Sequence, residues 1–177
     1  VQLTAYVVRR ATFSDCGLYR YHLYRRWSWD RPVLGGILLN PSTADAVRDD
    51  PTTRVMMGFA DRWGYGGWWP CNLFAYRGTY PDGLVGLDDP VGSGNDVALS
   101  YMFSRVDDVL VAWGKNAERI RPGRARSVAE TAERHGVRLW CIGQNGDGSP
   151  RFPRAVPRET SPSRFYSESL PRYTRDS

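Results

Sequence analysis

Lysine is nearly missing from this chain: Lys115 stands alone among 24 basic residues, the rest being arginine. Genome composition produces such a bias as readily as function does, so by itself it identifies no partner. Histidine is scarce as well, with His22 and His135 only, and the three cysteines, Cys16, Cys71 and Cys141, lie far apart without a C-x-x-C pair. That set is too thin for a zinc centre, and no metal or other cofactor is implied. A chain able to build its own core does not need disulfide staples, so the cysteines read as buried reduced thiols. No apolar run approaches the ~20 residues of a membrane span, and the first residues lack the charged-then-apolar order of a secretory signal. The expectation is a soluble cytoplasmic protein with no membrane contact and no obligatory protein partner.

What is present fits one ordinary domain: 177 residues, 41% of them hydrophobic. Charge is unevenly placed. Residues 1–113 carry 11 basic against 12 acidic side chains, whereas residues 114–177 carry 13 against 7. Net charge speaks to partners rather than to fold, and the basic C-terminal third is either a solvated surface or a face for phosphates.

Two β segments, 5–13 and 18–27, flank the turn-forming Ser14-Asp15-Cys16-Gly17 and predict a hairpin. In the second, period-two alternation sets Tyr19, Tyr21, Leu23, Arg25 and Trp27 on one face and Arg20, His22, Tyr24 and Arg26 on the other. Residues 33–39 form a continuous apolar run of strand length that ends abruptly in Asn40-Pro41-Ser42-Thr43. Asp49-Asp50-Pro51 opens a helix, with Met56, Phe59, Ala60 and Trp63 at i, i+3, i+4, i+7, and Gly64 closes it. Further strands are expected at 68–74, 109–113 and 137–142. A second helix starts at Asn95-Asp96, and a third carries Ala125, Val128, Ala129 and Ala132. Strands alternating with helices predict an α/β fold: a three-layer α/β/α sandwich around a four-stranded parallel sheet, with the N-terminal hairpin at one edge. The domain is expected to span 1–157, followed by an irregular tail over 158–177 rich in Pro, Ser and Arg.

Ligands of such sheets gather at the C-terminal ends of the strands. There the chain offers Asn40, Ser42 and Asp45, which could bind a ligand or orient water but could equally end a strand and cap a helix. The G-x-x-x-x-G-K-[ST] pattern is missing, which excludes a triphosphate P-loop. Asn72 is the single polar residue of an otherwise apolar strand; its carboxamide suits the edge of a nucleobase or the neighbouring backbone. Phe74, Tyr76 and Trp113 could stack on a base or simply pack in the core. Ser149, Arg151 and Arg154 sit in a Gly- and Pro-rich loop that could hold phosphate.

Together these segments resemble a family of uncharacterised bacterial and phage proteins with L-N-P-S-T-A-D, W-G-Y-G, N-L-F-A-Y-R and D-P-V-G-x-x-N-D stretches. They stand here at Leu39 to Asp45, Trp63 to Gly66, Asn72 to Arg77 and Asp89 to Asp96. The order of motifs also resembles, more distantly, the uracil-DNA glycosylase superfamily. In that likeness Ile37 to Ser42 occupies the first motif, Cys71-Asn72-Leu73 the middle strand and Ser149 to Pro153 the last loop. The resemblance implies a metal-independent DNA glycosylase that excises an abnormal or modified base from single- or double-stranded DNA. Asn40 would align the attacking water, Asn72 would read the base, and Ser149 with Arg151 would meet the phosphate or the leaving group. The chain departs from the superfamily at Ser149, where a histidine is usual, and at Ser42, where the first motif ends in glycine. That departure keeps open a non-catalytic nucleic-acid or nucleotide-binding module, and a hydrolase of free nucleotides or nucleosides.

Overall fold

The computed structural model describes residues 8–154 and 156–172. The opening residues of the first expected β segment and the last five of the expected tail lie outside them. Seven strands form one sheet in the order β1-β2-β4-β3-β5-β6-β7: β1 Val8–Phe13, β2 Arg20–Arg26, β3 Val33–Leu38, β4 Gly67–Asn72, β5 Asp108–Val111, β6 Arg138–Cys141 and β7 Ser163–Arg164. The sheet is therefore not the expected four-stranded parallel one but a mixed one. Its centre, β4-β3-β5-β6, is parallel, while β1, β2 and β7 join antiparallel at the two edges. β7 is two residues long, below the length at which any periodicity can be read.

The helices are α1 Pro51–Arg62, α2 Asn95–Phe103, α3 Ala117–Ile120 and α4 Arg124–Arg134. Asp50 caps α1, its side chain accepting the Thr53 N–H at 2.7 Å, and Pro51 takes the first turn, where no N–H is needed. Met56, Phe59 and Ala60 of α1 pack with Leu34, Leu38, Trp68 and Leu110 on one face of the sheet. Gly36 makes room there: a Cβ on it would lie 2.1 Å from the Trp68 ring. On the other face α2 and α4 supply Leu99, Met102, Val128 and Ala132 against Ile37, Cys71, Val109 and Leu139. The molecule is thus α/β with helices on both faces. No helix among the described residues is long and apolar enough to cross a membrane.

Three local readings need correcting. A register shift between Thr12 and Phe13 bulges β2 opposite them, so strict alternation fails there. Arg20 joins Leu23 and Arg25 as the buried residues of that strand. Cys71 and Cys141 are buried as expected, but Cys16, in the hairpin turn, is exposed. Lastly, the stretch from 163 on is not irregular throughout: β7 pairs with β6, Phe165 and Leu170 enter the core, and Glu133 accepts bonds from the N–H and Oγ of Ser167.

Candidate functional site

β3 lies at the centre of the parallel strands. Through α1 the chain passes to β4 on one side; through α2 it crosses back over β3 to β5, and through α4 it continues outward to β6. Direction therefore reverses between β3 and β5, and crevices that bind ligands open at such a point, beyond the strands' C-terminal ends. Loops gather there in pairs. The Asn40 Nδ2 donates to Gly78 O at 2.7 Å and Gly78 N to Pro41 O at 3.1 Å, joining the loops after β3 and β4. Gly114 N donates to Pro150 O at 3.0 Å, joining those after β5 and β6.

In the first loop the Asn40 amide nitrogen is committed to Gly78 O and Pro41 O, which leaves its carbonyl oxygen as the group able to accept a hydrogen bond from water. Ser42 is half-buried beside it. The Asp45 carboxylate accepts the backbone N–H groups of Val47 and Arg48, both at 2.7 Å, and these bonds hold it below the usual carboxylate range. Asp45 thus shapes the loop rather than standing ready as a base. Two arginines of β2 fasten the same loop from beneath. Arg25, 0% exposed, bonds Asp49 Oδ1 at 2.7 Å and Asp45 O at 2.6 Å, and Arg20 bonds Ala44 O at 2.8 Å.

Asn72 pairs in register with Leu38, so Asn40, two residues further on, lies about 8 Å from it by ordinary strand geometry. Being four residues after Trp68 in β4, Asn72 points to the α1 face, and it is 1% exposed. Its Nδ2 has no partner among the described residues. Its backbone carbonyl accepts from Asn95 Nδ2, which also bonds Leu73 O, so Asn95 fixes the end of β4 instead of capping α2. Phe74 is 0% exposed and belongs to the core, with no face to offer a base. Tyr76 is half-buried, edge-on to Tyr19 at 5.7 Å.

Ser149 belongs to a different recess. A cleft of about 200 Å³ beyond β5 is lined by Trp113, Lys115, Glu118, Asp147, Ser149 and Leu170 among others, and by none of the sequence-predicted residues of the first two loops. Ser149 Oγ donates to Asp147 Oδ1 at 2.6 Å and accepts from Asn145 Nδ2 at 3.0 Å, and the first of these bonds lowers the Asp147 carboxyl. Trp113 Nε1 and Glu118 Oε1 are buried without partners among the described residues. Arg151 and Arg154 are exposed, with Arg151 Nε on Gln144 O. The structure thus brings Asn40 and Asn72 together and sets Ser149 apart with Trp113.

Sequence reasoning gave no site role to Arg20, Arg25, Asn95 or Glu118. Arg25 was legible in part, as a charged residue amid apolar neighbours on an alternating face. Arg20 was hidden by the bulge.

The family described as a protein of unknown function, DUF1643, matches residues 20–154. No curated protein and no solved structure matches the chain. The matched segment runs from β2 through the loop after β6 and so contains every residue discussed at the strand ends before the cleft's closing Leu170. With most of its length matched, the chain belongs to the DUF1643 family.

Proposed function

We propose that the protein is a DNA glycosylase-like hydrolase, with a fold of the uracil-DNA glycosylase kind, that cleaves the N-glycosidic bond of an abnormal or modified base in DNA. The observation that carries this reading is the Asn40 side chain at the topological switch point, its amide nitrogen tied to Gly78 so that its oxygen is left to orient a water. Water would attack the anomeric carbon as the carbon–nitrogen bond breaks, the electron pair leaving with the base and the water's proton ending on it. Asn72, whose Nδ2 has no partner among the described residues, supplies a donor to the ligand. Arg151 and Arg154, both exposed on the neighbouring loop, face the backbone phosphates. Free thiols at Cys16, Cys71 and Cys141 suit a cytoplasmic site of action.

A second reading is favoured by one observation. Ser149, in the loop that would assist the departing base, has its hydroxyl bound to Asp147 and Asn145. A module that binds nucleic acid or nucleotide without cleaving it would need nothing more. Oligonucleotides with deaminated, oxidised and bulky modified bases, in single and double strands, decide between the two. The hydrolase is expected to leave alkali-labile sites at one or more of these bases. Retarded mobility without any break supports the binding module, and base release from free nucleosides alone supports a monomer hydrolase.

A further inference from the structure

Arg20 and Arg25 leave the same strand for the same loop, but only one of them is neutralised. Arg25 meets Asp49 at 2.7 Å and bonds the carbonyls of Tyr24, Asp45 and Arg48 besides. Arg20 is 3% exposed, yet among the described residues it forms no ion pair, its Nη1 reaches Ala44 O, and its Nε has no partner. A guanidinium taken out of water without a counter-charge is costly, and removal of such a cost is what an anionic ligand provides. Burial pulls the Arg20 pKa down to about 10, with the Asp50 carboxylate offsetting part of the effect. Asp50 itself is committed to capping α1 through the Thr53 N–H. Arg77 and Arg25 add positive charge around Arg20, and Asp49 already serves Arg25 and Arg9.

A second buried donor lies on the same face. Asn72 Nδ2 has no partner among the described residues, and the backbone N–H of Arg20 bonds Ala75 O, three residues after Asn72 just past the end of β4. Two donors without acceptors, one of them charged, are the complement of an oxygen anion. We propose that Arg20 and Asn72 form a binding site for a small oxyanion of terminal-phosphate size beneath the loop of residues 40–50. Their burial selects against a diester within a nucleic-acid backbone and for a free or terminal phosphate. The site shares Asn72 with the glycosidic reading but goes beyond it through Arg20, and its binding of phosphate is measured whether or not a base is cleaved.

Calorimetric titration of the full chain with inorganic phosphate, a nucleoside 5′-monophosphate and the matching nucleoside tests it. Saturable binding of phosphate is expected, with the monophosphate competing for the same site and the nucleoside not competing. A monophosphate that binds more tightly than phosphate identifies a nucleotide as the source; equal affinities identify the free ion. Arg20→Met should weaken phosphate binding by roughly tenfold or more, and Asn72→Ala by several-fold. If Arg20→Met fails to fold, folded Asn72→Ala decides. Absence of saturable binding to the unsubstituted chain at ~10 mM phosphate, or unchanged affinity in a folded variant, overturns the proposal. Because no turnover is read, loss of the glycosidic reading leaves this result untouched.

Discussion

Two buried arginines on the same strand, Arg20 and Arg25 of β2, contribute unequally to stability. Arg25 ties Asp49 and the carbonyls of Asp45 and Arg48 into the loop that carries Asn40, so its removal would leave a half-buried carboxylate relying on Arg9 and would orphan several acceptors. Breaking such a buried pair costs about 3–5 kcal/mol. Among the described residues Arg20 holds one carbonyl and no carboxylate, so exchanging it for an apolar side chain of similar length loses at most one hydrogen bond, about 1 kcal/mol. Denaturant unfolding of Arg25→Met and Arg20→Met in phosphate-free buffer checks the contrast. Equal losses would mean that Arg20 is a structural anchor like its neighbour. The comparison also separates a residue that builds the loop from one that waits under it.

Among the elements, those with a strong local signal were legible. The start of α1 at Asp50-Pro51, its buried stripe and the apolar parallel strands follow from capping and periodicity. β7 did not, because a two-residue strand has no period and its place is set by the open edge of β6. Yet the segment after it bears on the cleft: Phe165 packs edge-on against Trp113 at 5.8 Å, and Leu170 lines the recess with Ser149. Phe165→Ala should therefore destabilise the fold by about 3–5 kcal/mol, the range for a large aromatic removed from a core. Thermal and denaturant unfolding would show it; a loss under ~1 kcal/mol would mean that this segment merely lies on the surface.

For the whole molecule, the uneven charge is less available than the sequence implies. Within the basic C-terminal third Arg124 pairs with Asp96, Arg126 with Glu130 and Arg138 with Asp108, while Arg164 lies over Trp140 and Tyr166. Composition counts charges but cannot say which are already partnered, and that limits what it tells about a phosphate-binding face. The candidate site was legible to a similar degree. Asn40 and Asn72 could be placed because each ends a strand of a parallel sheet, whereas the separation of Ser149 from them depends on side-chain bonds to Asp147 and Asn145 that no spacing encodes. The central claim is that Asn40 aligns the water that attacks the glycosidic carbon. Single-turnover formation of abasic sites by Asn40→Ala, measured beside its affinity for the same modified oligonucleotide, tests it most directly. A group acting mainly in the transition state should lower the rate ~100-fold or more and leave affinity within about threefold. A rate that is unchanged, or one that falls only in step with binding, would contradict the account.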